Sequence, residues 1–354
     1  MTTTTFPYQE ITGAIHLHTL YSDGGVSYEE LIDAAQGCGL DYVVVTDHMN
    51  LKGREAGYEK FHGNLMVLVG YEHNDPKKLN HYLAIGTNKA FPQLQKPQQY
   101  IDAVRENGGI GFLAHPAEKR NYFGNLPPYP WTEWDATGYD GIELWNQMSD
   151  WIENIRSWRS FIRLLYPRRF LGNVPDELLE KWDKLNQNRF ISGVGGVDAH
   201  TRRISIGPFA YTIFPIKVEL KGIRTHLYIP QKLPEYPFDE ARSLLLKALK
   251  NGNGFISNYR RGDAKGTQIY LRQENGAVLP PGLCGTINRA PAMLCVQVPS
   301  RGNIRLIRNG VVLKSVKGTS AQLGISDDGV YRVEVYKGKN AWIYSNPFHV
   351  LRQK

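Results

Sequence analysis

The stretch "LDYVVVTDH", Leu40–His48, decides how this chain is read. Tyr42 to Val45 are consecutive apolar residues, three of them β-branched, and the run ends in Thr46-Asp47-His48. A strand with one wet face alternates polar and apolar residues. An unbroken β-branched run is expected where helices cover both faces, as in a parallel sheet. Further runs of the same kind lie on either side: "AIHLH" (14–18), "LMVLVGYEH" (65–73), "HYLAIG" (81–86), "GIGFLAHP" (109–116), "YDGIELWN" (139–146) and "ISGVGGVDAH" (191–200). Helical segments separate them. Ser27 with Glu30 is a capping box opening a helix to about Cys38, and "PQQYIDAVRENGG" is a helix stopped at Gly108. Strands alternating with helices predict an α/β fold built on a parallel sheet or a barrel.

From about Thr267 the texture changes. Short alternating stretches ("TQIYLRQ", "AMLCVQV", "NIRLIRNGVVLKSV", "GVYRVEVYKG", "AWIYSNPFHV") are separated by Gly, Asn and Asp, and "RNGVV" carries the Asn-Gly hairpin signal. This predicts a small all-β sandwich over 263–354, after a first domain over 1–262 that ends with the helix "FDEARSLLLKALKNG". Six of the 7 tryptophans fall between Trp131 and Trp182. They suggest a helical insertion over about 125–190, with its own aromatic core or roofing a site.

Bulk properties bound the function. The 354 residues are 42% hydrophobic, which is enough for a sizeable core. The N-terminus "MTTTTFPYQE" lacks the basic and apolar regions of a secretory signal, and no apolar run is long enough for a transmembrane helix. Cys38, Cys284 and Cys295 make no CxxC pair and fit a reducing compartment, so a cytoplasmic protein without a membrane partner is expected. The net charge of +8 suits a small anionic or ester substrate. It is spread along the chain without a basic tail, which argues against a nucleic-acid partner and suits solubility equally well; a homo-oligomer is left open.

The chemistry lies at the ends of the runs. His16 and His18 are two apart on a strand and share a face. Asp23 follows in the next loop, and further runs end in His48, Glu72, His115 and Asp198-Ala199-His200. In a barrel of parallel strands these ends converge on one mouth. His81 is the exception, since it starts its run. Six histidines out of 10, two aspartates and one glutamate are too many donors for one ion. They suit two or three divalent ions, with zinc, manganese and iron matching the imidazole and carboxylate donors. Paired metals serve phosphoryl and ester hydrolysis. There is no GxSxG elbow, no GxxxxGK[ST] loop and no GxGxxG spacing.

In order along the chain, "HLHTLYSDG", "VVTDH", "GYE", "AHP" and "GVDAH" resemble the PHP (polymerase and histidinol phosphatase) family of metal-dependent hydrolases. The resemblance implies a distorted (β/α)7 TIM-like barrel. It also implies one metal held by His16, His18, Glu72 and Asp198, a second by Glu72, His81 and His115, and a third by Asp23, His48 and His200. Some members have histidine where Asp23 stands, which bears on the preferred metal. His73, beside Glu72, is the substitute for His81 but should point to the other face. More loosely, "YDGIELWNQMSDW", "LLEKWDKL" and "YRVEVYKGKNAWIYSNPFHV" resemble a subgroup that includes carbamate and aryl-ester hydrolases.

The expected activity is hydrolysis of a small phosphate ester by a metal-activated water. Asp198 would accept its proton and His200 would protonate the leaving group. Asp47 is a candidate for orienting a ligand. Arg120, Arg202 and Arg203 would bind the anion and Asn146 would hydrogen-bond substrate. Arg156, Arg159 and Arg163 share a face of a predicted helix, read as solvated. His62, His226 and His349 lack any motif and are expected to be structural. Two alternatives stand beside this reading: a carboxyl or carbamate ester hydrolase using the same metals, and a non-catalytic binding protein with a vestigial barrel.

Overall fold

The computed structural model describes residues 6–119, 127–153, 171–206, 209–282, 284–287 and 292–352. The fold is mixed α/β with a large sheet, followed by a C-terminal β region. Eight strands position the site: β1 (Gln9–Leu17), β2 (Tyr42–Val45), β3 (Leu65–Val69), β4 (Tyr71–His73), β5 (Tyr82–Ile85), β6 (Ile110–Leu113), β7 (Gly141–Asn146) and β8 (Ser192–Ala199). β1 pairs in parallel with β2, and β2 with β3, which passes through Gly70 into β4. β6 pairs in parallel with β7, β7 with β8, and β8 with β1, so the pairings return to their start.

β5 departs from the parallel expectation. It runs antiparallel to both neighbours, with Glu72 opposite Leu83 and Ala84 opposite Gly111. The physical reason is the short connection between His73 and Tyr82. A parallel return needs a crossover of a dozen or more residues, whereas a hairpin does not. The turn is held by Asp75, whose Oδ1 accepts from the Lys77 and Leu79 amides at 2.9 Å and whose Oδ2 accepts from Asn80 Nδ2 at 3.0 Å.

The unbroken apolar runs have the burial they predict. All of Tyr42–Val45 and Leu65–Val69 is buried. Val43, Val45, Val67 and Val69 pack in one cluster with Leu31 and Ala35 of the helix Tyr28–Gly37. Val44, Met66 and Leu68 pack in another with Leu83, Phe112 and Val194. Each such side chain contributes about 1.5–3 kcal/mol on burial. The Ser27–Glu30 capping box is present in both directions.

The sheet continues past this ring. Strand Ile223–Ile229 pairs with β1, strand Gly254–Asn258 pairs with it, and Asn340–Ser345 pairs with that strand in turn. The C-terminal strands are thus hydrogen-bonded to the first part of the chain. Their core contains Leu294, Ile304, Leu306, Val333, Val335 and Trp342, together with Phe255. The Asn-Gly turn forms as expected, with Asn309 at φ 49 and Gly310 at φ 82 between strands Ala292–Arg308 and Val311–Ile325. Arg332 is clamped by Asp183 of the helix Asp176–Asn188, with Nε–Oδ1 at 2.6 Å and Nη2–Oδ2 at 2.8 Å.

The expected helical insertion over about 125–190 falls partly outside the described residues; within it, the predicted strand β7 is an integral part of the ring and is followed by the helices Gln147–Glu153 and Asp176–Asn188. The tryptophans are scattered through the core, with Trp145 against Tyr344 at 5.2 Å and Trp182 donating to the Ile191 carbonyl at 2.9 Å. Trp158 lies outside the described residues, as do Arg120, Arg156, Arg159 and Arg163. Cys38 and Cys295 are free thiols. Among the described residues, no helix is long and apolar enough to cross a membrane.

Candidate metal centre

The strand-end residues gather around Glu72, which is buried in β4. Its Oε2 lies 3.2 Å from His16 Nε2, 3.3 Å from His18 Nε2 and 3.3 Å from His48 Nδ1. Its Oε1 lies 2.7 Å from His81 Nδ1 and 3.1 Å from His115 Nε2. Asp198 Oδ1 is 3.5 Å from both His16 Nε2 and His18 Nε2 and 3.3 Å from His200 Nδ1. Asp23 Oδ2 is 3.2 Å from His200 Nε2 and 3.7 Å from His48 Nε2. All nine sequence-predicted donors are therefore brought together.

Local backbone explains how. Pairing register shifts between Ile15 and Leu17, with His16 at φ 62, a bulge that aims both histidines at Glu72. His81 reaches the same mouth from a strand start because β5 is inverted. His73 points away as expected, with its ring 4.3 Å from that of Tyr100.

The donors fall into four overlapping groups with ligand atoms within 4.8 Å of one another: His18-Asp23-His48-His200, His16-His18-Glu72, His16-His115-Asp198 and His48-Glu72-His81. His16 Nε2, His18 Nε2 and His48 Nδ1 are buried, face Glu72 Oε2 and make no hydrogen bond. Buried imidazole nitrogens left without partners beside a carboxylate fit divalent-cation ligation. The electrostatics agree. Burial opposes ionisation of Glu72, but His16, His81 and His48 outweigh it and hold its carboxyl well below the usual range. Asp198 is held down in the same way by His16, His18 and His200, again against burial.

The site opens into a cavity of about 500 Å3 that is continuous with solvent. Opposite the donors, its wall is apolar: Met148, Trp151, Ile152 and Phe214 pack together, with the Trp151 and Phe214 rings at 90° and 4.5 Å apart. Arg202 lines the cavity. Arg203, the next residue on an extended strand, pairs instead with Glu30, so it is no part of the expected anion pocket. Asn146, expected to meet substrate, donates from Nδ2 to Glu143 at 2.9 Å and Asp198 at 3.3 Å, and its Oδ1 accepts from the Ser149 amide at 2.8 Å. Asp47 accepts from Thr19 and from Ser22 Oγ, which lies 3.4 Å from His18 Nδ1, so its contacts run toward His18.

Two participants escaped the sequence reading. Glu143 Oε1 lies 2.8 Å from His16 Nδ1, and Tyr129 stacks on His81 at 5.1 Å. The signal for Glu143 was present: a lone carboxylate within a strand buried on both faces. Tyr129 carried none. Elsewhere, Ser257, His226 and Glu10 line up through bonds of 2.7 and 2.6 Å, in the order of a nucleophile, base and acid. Ser257 is fully buried between strands and meets no substrate, so His226 is structural as expected. His62 and His349 likewise bond to Tyr58 and Asn186, away from the cluster.

Residues 14–110 match the family model of the PHP domain. An uncharacterised protein of Methanocaldococcus jannaschii, MJ1587, is 27% identical to this chain over 115 residues. That match covers 29% of this chain and 66% of the relative, just under two thirds of its length. Among solved structures, a two-domain protein from Bacteroides vulgatus, described as containing a predicted PHP-like metal-dependent phosphoesterase, aligns at 14% identity. The alignment covers 96% of each chain with a TM-score of 0.46. An amidohydrolase from Chromobacterium violaceum aligns at 14% identity and a TM-score of 0.33, over 58% of this chain and 92% of that one.

Proposed function

We propose that this protein is a metal-dependent hydrolase that cleaves a small phosphate ester, with its PHP ring a distorted (β/α)7 barrel over 1–262 and a β-sandwich domain over 263–354. The reading is carried by one observation: five imidazole nitrogens surround the two oxygens of buried Glu72, in the same cavity as Arg202. His16, His18, Glu72 and Asp198 would hold one ion, Glu72, His81 and His115 a second, and Asp23, His48 and His200 a third. When bound, such ions polarise the ester and acidify water. Asp198 Oδ1 accepts the proton released at the attack. With two ions bound and the Asp23–His48–His200 group free of metal, His200 would protonate the departing oxygen. Arg202 holds the ester's anionic group.

A hydrolysis screen of phosphate monoesters, phosphodiesters, carboxyl esters and carbamates with manganese or zinc tests this reading. Turnover of phosphate esters that disappears in His18→Ala is expected. Protein that takes up no manganese, zinc or iron by elemental analysis would refute it and favour a binding role. A second reading, carboxyl or carbamate ester hydrolysis, is favoured by the apolar wall of Met148, Trp151, Ile152 and Phe214. Arg202 is also the only arginine lining this cavity among the described residues. Trp151→Ala raising KM for aryl carboxyl esters, with phosphate esters inert, would establish that reading.

A further inference from the structure

β7 carries none of the proposed ligands. Its neighbours do: β6 leads into His115 and β8 carries Asp198, while β8 pairs with β1, which carries His16. These three residues form one donor group, with ligand atoms within 4.8 Å of one another. All three have left-handed backbone, with φ 62 at His16, 30 at His115 and 56 at Asp198. Such conformations persist in non-glycine residues only where the surroundings over-determine them.

We propose that Glu143 and Asn146 of β7 form a clamp that positions His16, His115 and Asp198 for metal, with Glu143 as its principal positioning residue. The inference rests on the metal-centre reading above. Glu143 Oε1 takes the Nδ1 side of His16 at 2.8 Å, which leaves Nε2 bare on the side of Glu72 and Asp198. Glu143 Oε2 accepts the His115 backbone N–H at 2.6 Å and Asn146 Nδ2 at 2.9 Å. Asn146 Nδ2 also reaches Asp198 Oδ2 at 3.3 Å. One carboxylate and one amide thus touch all three left-handed residues.

The space for the clamp is built in. A Cβ on Gly196 would stand 1.6 Å from Glu143 Oε1 and 3.1 Å from His16 Cβ, so only glycine admits the carboxylate here. The charge matters as much as the shape. Glutamine offers one acceptor and one donor. If its oxygen keeps the His115 and Asn146 N–H groups, its NH2 faces His16 Nδ1 and drives the imidazole proton to Nε2. That proton occupies the lone pair a metal needs.

The test is zinc titration of the full chain against a chromophoric chelator, for the native sequence, Glu143→Gln and Gly196→Ala. Circular dichroism of each metal-free protein reports folding. Loss of a partner that orients a ligand lowers metal affinity by about 10–100-fold. That loss is expected in both variants, at the ions that use His16, His115 and Asp198. The ion held by Asp23, His48 and His200 is expected to keep its affinity, a selectivity that general destabilisation would not produce. If Glu143→Gln does not fold, Gly196→Ala decides. Native-like affinity in the folded variants overturns the clamp and leaves the metal centre standing. A native chain that binds no zinc overturns both.

Discussion

Replacing Asp183 by alanine should destabilise the protein by about 3 kcal/mol. Asp183 sits on the helix before β8 and holds Arg332 of the C-terminal β region with two bonds of 2.6 and 2.8 Å. Arg332 is only 3% exposed, so water cannot replace the lost partner. Breaking a buried pair from one side costs about 3–5 kcal/mol, because a charge is left uncompensated. The low end applies here because Glu334 Oε1 stays 2.5 Å from Arg332 Nη1 and keeps part of the charge balanced. Asp183→Asn retains one acceptor oxygen and should cost about half as much. Urea unfolding followed by tryptophan fluorescence reads the difference, since Trp182 lies beside the pair, with the Arg332 guanidinium 5.9 Å from its ring. A loss below about 1 kcal/mol in Asp183→Ala would contradict the reasoning. So would equal losses in the alanine and asparagine variants, which would show that the second bond and the charge carry nothing.

The remaining expectations concern the site. Arg202→Ala should weaken inhibition by inorganic phosphate by about 10-fold, the worth of one charge-assisted hydrogen bond, while Arg203→Ala should leave it unchanged; equal effects would remove Arg202 from the pocket. His81→Ala should lower zinc stoichiometry in a chelator titration. His73→Ala should leave zinc uptake intact and lower only the melting temperature, and the reverse pattern would exchange their roles. Zinc affinity should rise with pH. Burial lowers the His115 pKa, but the Glu72 hydrogen bond and nearby carboxylates outweigh it and raise it to about 9. Metal binds the neutral imidazole, so a proton must leave at any pH below that value. This one group contributes about 10-fold in affinity per pH unit between pH 6 and 9, and a flat profile in chelator competition would refute it.

The site was legible because histidine is scarce in this chain and stands at the ends of apolar runs, where a fold of this class converges. His16, His48, Glu72, His115 and Asp198 could be placed by that rule alone. His81 could not, because the direction of β5 depends on a turn whose closure is a tertiary fact. Arg203 shows the same limit: His200 lies three residues before it, but its side chain pairs with Glu30, far away in the chain. The tryptophans looked like one cluster in sequence, yet Trp145 packs on Tyr344. Glu143 carried a signal of its own, a charge where burial forbids one without partners, but the partners were visible only in the folded chain.

The inverted β5 has a consequence for the order in which the centre assembles. Glu72 and His81 sit on one hairpin, nine residues apart, with a turn stabilised by Asp75. A hairpin closes in about 1–10 μs. The contact between His16 and Asp198 instead needs the ring to close across most of the first domain. The bridging carboxylate and one of its histidines can therefore meet while the rest of the chain is still open, giving a nascent two-donor chelate. The later strands then close onto a hairpin that already pairs the central carboxylate with an imidazole.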